Sequence, residues 1–171
     1  MKAKLAVAAR RIGAAPLLAA LVALAVSPAR AEKRFTTLLV QSSVVPNCRI
    51  AVSDLSFAAY DPLAVHASSG LDASAVLTVT CTRGITVNVL VDDGSHGSAG
   101  VRRMASGPQN LGYELYRDAS RSSRWERGNA LALRAEGVFV PTTLGVYGRI
   151  PAGQVVPAGA YSDTVTATVD F

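Results

Sequence analysis

From Phe35 onward, apolar and polar residues alternate in short runs, with Gly, Pro, Ser and Asp between them. A period of two predicts β-strands, and no apolar spacing of three and four persists long enough to predict a helix. Phe35–Val45 is the first strand-like run, closed by Pro46-Asn47. Cys48, Ile50 and Val52 share a face. Leu55 and Phe57 continue that face after an offset at Ser53-Asp54, which predicts a bend or bulge. Tyr60-Asp61-Pro62 predicts a turn. Ala75, Leu77, Val79 and Cys81 then alternate with Val76, Thr78, Thr80 and Thr82, and Ile85, Val87, Val89 and Val91 form another set. Asp92–Gly100 is a polar, glycine-rich loop. Leu111, Tyr113 and Leu115 alternate next. Arg117–Asn129 is a polar loop anchored by Trp125, and Val138–Val140 and Val146–Ile150 are short strands. Val165, Ala167, Val169 and Phe171 form the last strand, so the chain is expected to stop on an inward-facing aromatic at an edge of the fold. Seven or eight short strands separated by turn signals predict an antiparallel β-sandwich.

The first residues follow a different pattern. Lys2, Lys4, Arg10 and Arg11 precede an apolar run from Ala14 to Val26, and Ala29-Arg30-Ala31 follows. That order predicts a secretory signal peptide, residues 1–31, cleaved after Ala31. As a membrane anchor the apolar run falls short of the roughly 20 residues that a span requires. Cleavage changes the charge. The whole chain is +5, but residues 1–31 hold five of the seventeen Lys and Arg, which leaves twelve basic against twelve acidic residues. A neutral mature protein gives no reason to expect nucleic acid or an anionic membrane as partner. The 140 residues that remain are enough for a real core. The two cysteines, Cys48 and Cys81, are expected to be oxidised in an exported protein rather than to stay buried thiols. Loop-closure entropy puts such a bond at about 3–4 kcal/mol as an upper figure.

Candidate chemistry is sparse. Ser95-His96 beside Asp92-Asp93 supplies a nucleophile, a base and carboxylates, so hydrolysis has to be weighed. All four residues lie in one loop of turn formers, a spacing that does not build a rigid triad. His66 has no ligand partner in sequence, and the two histidines stand far from the cysteines, so no metal or other cofactor is expected. The stretch Gly94–Gly100 lacks the lysine and following helix of a phosphate loop. Arg121, Arg124 and Arg127 flank Trp125, and Arg124 with Trp125 is a candidate surface contact for sugars or another ligand. The opposing reading is a solvated loop neutralised by Asp118, Glu126 and Glu136. The run Phe35–Val40 reads first as an ordinary opening strand and, more sharply, as a strand donated to a neighbour's sheet edge, two readings that the pattern alone does not separate.

Several segments resemble the spore coat protein U-like family, found in archaic chaperone–usher pilus subunits and secreted spore-coat proteins. They are Asn47-Cys48-Arg49-Ile50, Leu55-Ser56-Phe57 with Tyr60-Asp61-Pro62, Val79-Thr80-Cys81 with Gly84, and Arg103-Met104. Leu111–Asp118 with Trp125, Val146–Gln154 and Gly159–Val165 complete the set, which covers nearly all of Cys48–Phe171. Ala58-Ala59 departs from the pattern, where a glycine is common.

The resemblance implies an immunoglobulin-like antiparallel sandwich, residues 47–171, that lacks its final strand, with a disulfide between Cys48 and Cys81. It implies a donor-strand segment within 32–46, anchored by Phe35, Leu38 and Val40, and an acceptor groove along Val165, Ala167, Val169 and Phe171. The partners implied are a periplasmic chaperone, an outer-membrane usher and identical or homologous subunits in a fibre or coat outside the cell. No catalysis is implied. The alternative within the same frame is an adhesin or carbohydrate-binding minor subunit using the Arg117–Asn129 loop.

Overall fold

The computed structural model describes residues 30–171, so the predicted leader falls outside them but for Arg30 and Ala31. The chain divides after Gln41. Residues 30–41 hold no strand; Phe35, Leu38 and Val40 are exposed, and Arg34 pairs with Glu32 at 2.9 Å. Residues 42–47 hold no strand either. The expected first strand, Phe35–Val45, is therefore not formed, because a β-prone run needs a ladder partner and none pairs with it within the described residues.

Eight strands build the rest: β1 (Cys48–Val52), β2 (Leu71–Cys81), β3 (Thr86–Val91), β4 (Arg102–Ser106), β5 (Gln109–Tyr116), β6 (Leu131–Arg134), β7 (Thr142–Ile150) and β8 (Ala167–Asp170), with a 3-10 turn at Val65–Ala67. All pairings are antiparallel. One sheet runs β1-β2-β7-β5-β4 and the other β6-β3-β8. An immunoglobulin-like sandwich orders strands A-B-E-D in one sheet and sets C beside F in the other, places taken here by β1-β2-β7-β5 and by β3-β8. The order here follows that plan, and among the described residues no strand pairs with the outer edge of β8.

The alternation read in the sequence is the alternation of burial. Ala75, Leu77, Val79 and Cys81 of β2 face Val87, Val89 and Val91 of β3, joined by Leu111, Tyr113 and Leu115 of β5 and by Val146 and Ile150 of β7. Leu77, Val87 and Val89 are at most 1% exposed. Burying a Val or Leu side chain fully contributes roughly 1.5–3 kcal/mol, so this layer is the main source of stability. The offset at Ser53-Asp54 is present: Cys48 and Ile50 point inward, residues 51–54 are exposed, and Leu55 and Phe57 return to the core. They lie directly over β7, where a Cβ on Gly148 would come within 2.7 Å of the Phe57 ring.

Two expectations fail locally. Val138–Val140 is a turn with Phe139 95% exposed; Gly137 ahead of it has a positive φ of 130°, which breaks the extended chain. The strand before β7 is instead β6. Phe171 lies one residue past β8 and is 60% exposed, since among the described residues no paired strand lies beside it to pack against.

Candidate acceptor cleft

The cleft is built by two stretches of chain that face each other without pairing. One is β1 with the residues that follow it, to Leu63. The other runs from Val156 into β8. Between them lies a cavity of about 1060 Å³, floored by Leu77, Leu111, Tyr113, Leu115, Val146 and Ile150. Phe57 stands edge-on to Tyr113, with ring centroids 6.4 Å apart.

The main chain on the β8 side is half satisfied, and its parity says which half. Thr164 O accepts from Ser95 N at 3.0 Å, Thr166 O from Asp92 N at 3.1 Å, and Asp92 Oδ1 accepts from Thr166 N at 2.9 Å. Thr168 and Asp170 stand opposite Leu90 and Asn88 of β3. Hydrogen-bonding direction alternates along an antiparallel strand, so the even-numbered residues bond toward β3. The odd-numbered ones, Val165, Ala167 and Val169, direct N–H and C=O to the opposite, open side. Their side chains are half-buried against the core. Across the gap, the main chain of residues 54–59 makes no hydrogen bond to other described residues. An apolar trough flanked by free backbone groups is chemically fitted to an extended peptide, which brings both a ladder and side chains.

One end of the cleft is held by a buried carboxylate. Asp163, with its side chain 2% exposed, accepts from the Tyr113 hydroxyl at 2.7 Å, from His96 N at 3.1 Å and from His96 Nδ1 at 3.0 Å. Burial, and then the Asp163 carboxylate, push the Tyr113 pKa well above its usual value, so the phenol stays a donor. Arg102, 2% exposed, donates Nε and Nη2 to Asp92 O at 2.9 and 2.7 Å. Together these bonds pin the loop after β3 to the start of the Val165–Asp170 stretch. As the spacing predicts, Ser95, His96 and Asp93 do not form a triad. His96 turns to Asp163 instead, and the Ser95 hydroxyl donates to Thr164 O at 3.2 Å.

At the other end, Cys48 and Cys81 are joined, with S–S at 2.07 Å, across the pair that opens the β1–β2 ladder. Trp125 is 0% exposed, and its main-chain N–H donates to Leu115 O at 2.8 Å. The Arg117 guanidinium lies 5.7 Å from its ring centre. The candidate surface contact is therefore corrected: Trp125 closes the core under the Arg117–Asn129 loop and offers no face to a ligand. Arg124, half-exposed, is engaged by Glu114, with Nε to Oε2 at 3.0 Å. Among the described residues no His, Cys, Asp and Glu group has a metal-binding arrangement, and no helix is long and apolar enough to cross a membrane.

Comparison with known proteins agrees with this geometry. Residues 34–168 match the Spore Coat Protein U domain. Protein U of Myxococcus xanthus is 34% identical over 171 residues, spanning 92% of this chain and 96% of that protein. A chain of the CsuC–CsuE chaperone–tip adhesion subunit pre-assembly complex, from archaic chaperone-usher Csu pili of Acinetobacter baumannii, superposes with a TM-score of 0.53 at 25% identity. That match covers 75% of this chain and 40% of the other. With most of its length matched in both ways, the chain belongs to the Spore Coat Protein U domain family.

Proposed function

We propose that this protein is a non-enzymatic structural subunit of a chaperone–usher-assembled surface pilus or secreted coat, polymerising by donor-strand exchange and supporting adhesion and biofilm formation. The observation that carries the reading is the apolar cleft of about 1060 Å³ beside the unpaired edge of β8. A periplasmic chaperone fills it first, and at an outer-membrane usher the 32–46 segment of the next subunit replaces the chaperone's strand. Phe35, Leu38 and Val40 are the anchors, and Val165, Ala167 and Val169 line the receiving edge. Each anchor buried contributes roughly 1.5–3 kcal/mol, and main-chain bonds add to it. The link is heterologous, so it propagates as a filament. The leader of residues 1–31 supports export, and the bonds already made by Ser95 and His96 argue against hydrolysis.

The test is purification with and without a co-expressed periplasmic chaperone, for the full mature chain and for a deletion of residues 32–40. The full chain should give a soluble one-to-one complex with the chaperone and fibres or insoluble protein without it. The deletion should give the complex but no fibres. A full chain that stays a soluble monomer without chaperone, or fibres from the deletion, would overturn the reading.

A further inference from the structure

The residues just ahead of β1 carry a conflict between their sequence and their conformation. Val45-Pro46-Asn47-Cys48 is a turn signal: proline presets the second position of a β-turn and asparagine tolerates the third. Such a turn closes with a bond from the N–H of its fourth residue, Cys48, to the C=O of its first, Val45. It would make the segment before Val45 double back beside the open edge of β1, into the chain's own cleft. The structure instead holds these residues in line with β1. Thr82, next after the disulfide-bonded Cys81, donates its N–H to Asn47 O at 2.9 Å. The Thr82 hydroxyl accepts from Asn47 N at 3.1 Å and has Val45 O at 3.3 Å and Asn47 O at 3.4 Å in reach of its one proton; Asn47 O already accepts the Thr82 N–H, so the hydroxyl donates to the nearer Val45 O. Thr82 therefore occupies the acceptor that the turn would use. Proline also biases Val45 toward extended backbone, which agrees with this arrangement.

The length of chain makes the direction matter. Held in line, residues 45–47 carry the chain about 10 Å beyond β1 before it can reverse. Allowing about two residues for the reversal, Val40 would still lie short of Cys48, and a self-inserted strand would reach the cleft only from about Leu38 backward. A self-inserted strand would also run antiparallel to β1 and so parallel to β8: β1 starts at Cys48 opposite Cys81, β3 starts five residues after Cys81, and β8 ends at Asp170 opposite Asn88 near the start of β3, so β1 and β8 run in opposite directions. A strand from a second copy is free to run antiparallel to β8, the stronger pairing.

We infer that the Thr82 hydroxyl is a positioning group that suppresses the Pro46–Asn47 turn and so commits the N-terminal segment to the cleft of a second copy rather than its own. The inference rests on the donor-strand reading above. Its test separates the two. A photo-crosslinking residue, p-benzoylphenylalanine, replaces Leu38 in the full mature chain. Isotopically labelled and unlabelled chains are mixed during refolding, irradiated and digested. Crosslinks from position 38 to peptides spanning residues 161–170 are then scored as within one chain or between chains by their label. With Thr82 present, between-chain products should dominate. Thr82→Val, which keeps the shape and removes the hydroxyl, should raise the within-chain share on the order of tenfold, as expected for losing one or two hydrogen bonds. Thr82→Ser should restore the original ratio. An unchanged ratio across the three proteins would overturn the role of Thr82 and leave strand donation standing. Absence of any crosslink to residues 161–170 would overturn both.

Discussion

Trp125 shows how one residue can be read in two opposite ways. In the sequence it sits among Arg121, Arg124 and Arg127, a setting that suits a stacking surface. In the fold its indole is fully buried, and the arginines point elsewhere: Arg121 to Asp72 at 3.2 Å and to the Tyr147 ring, Arg124 to Glu114. Sequence could show that a loop of this length needs an apolar anchor, but not which side of the loop faces the core. Trp125→Ala should lower stability by about 3–5 kcal/mol, the usual cost of emptying a large aromatic site. Chemical denaturation of the chaperone-bound protein would check it, and the emission of this sole tryptophan should be blue-shifted in the wild type. A near-neutral substitution would return Trp125 to the surface. The Asp163–His96 pair makes a related point. The two residues are 67 apart in sequence, so nothing in the chain around His96 points to this partner.

At the scale of elements, period-two alternation located β2, β3, β5 and most of β7, because each has one face in the core and one in solvent. It missed β4, whose inward position is filled by Arg102, a charge that breaks the apolar count yet is satisfied by Asp92 O. It missed β6, only four residues long, and took the exposed Val138–Val140 in its place. The open edge of β8 was legible only through family resemblance, since a strand that lacks a partner has the same side-chain pattern as one that has two. The parity of β8 supplies a test. Ala167→Pro removes an outward N–H and should leave the β3–β8 ladder intact while abolishing fibre growth; proline is tolerated where the N–H faces away from the ladder. Thr168→Pro removes a ladder bond and should prevent folding. Electron microscopy and chaperone co-purification distinguish the two, and fibres from the first variant would show that the outer edge is not used.

For the whole molecule, the two sheets form a sandwich in which the disulfide and the Asp163 cluster fix opposite ends of a cleft that the described residues leave open. The chain-entropy argument assigns the Cys48–Cys81 bond at most about 3–4 kcal/mol, so the double Cys48→Ser, Cys81→Ser variant should lose stability up to that figure in denaturant titration. A loss near zero would mean that β1 is held by its ladder alone. The bond's position has a mechanical consequence. When the segment ahead of Cys48 is pulled, tension enters the sandwich at Cys48, at the very end of an edge strand. Without the crosslink, that load would fall on the β1–β2 hydrogen bonds. With it, the load passes through sulfur to Cys81 and into β2, which is flanked by β1 and β7. Each unit of a strained filament would thus resist stretching through a covalent strut at its point of attachment, and β1 would not slide before the core itself gives way.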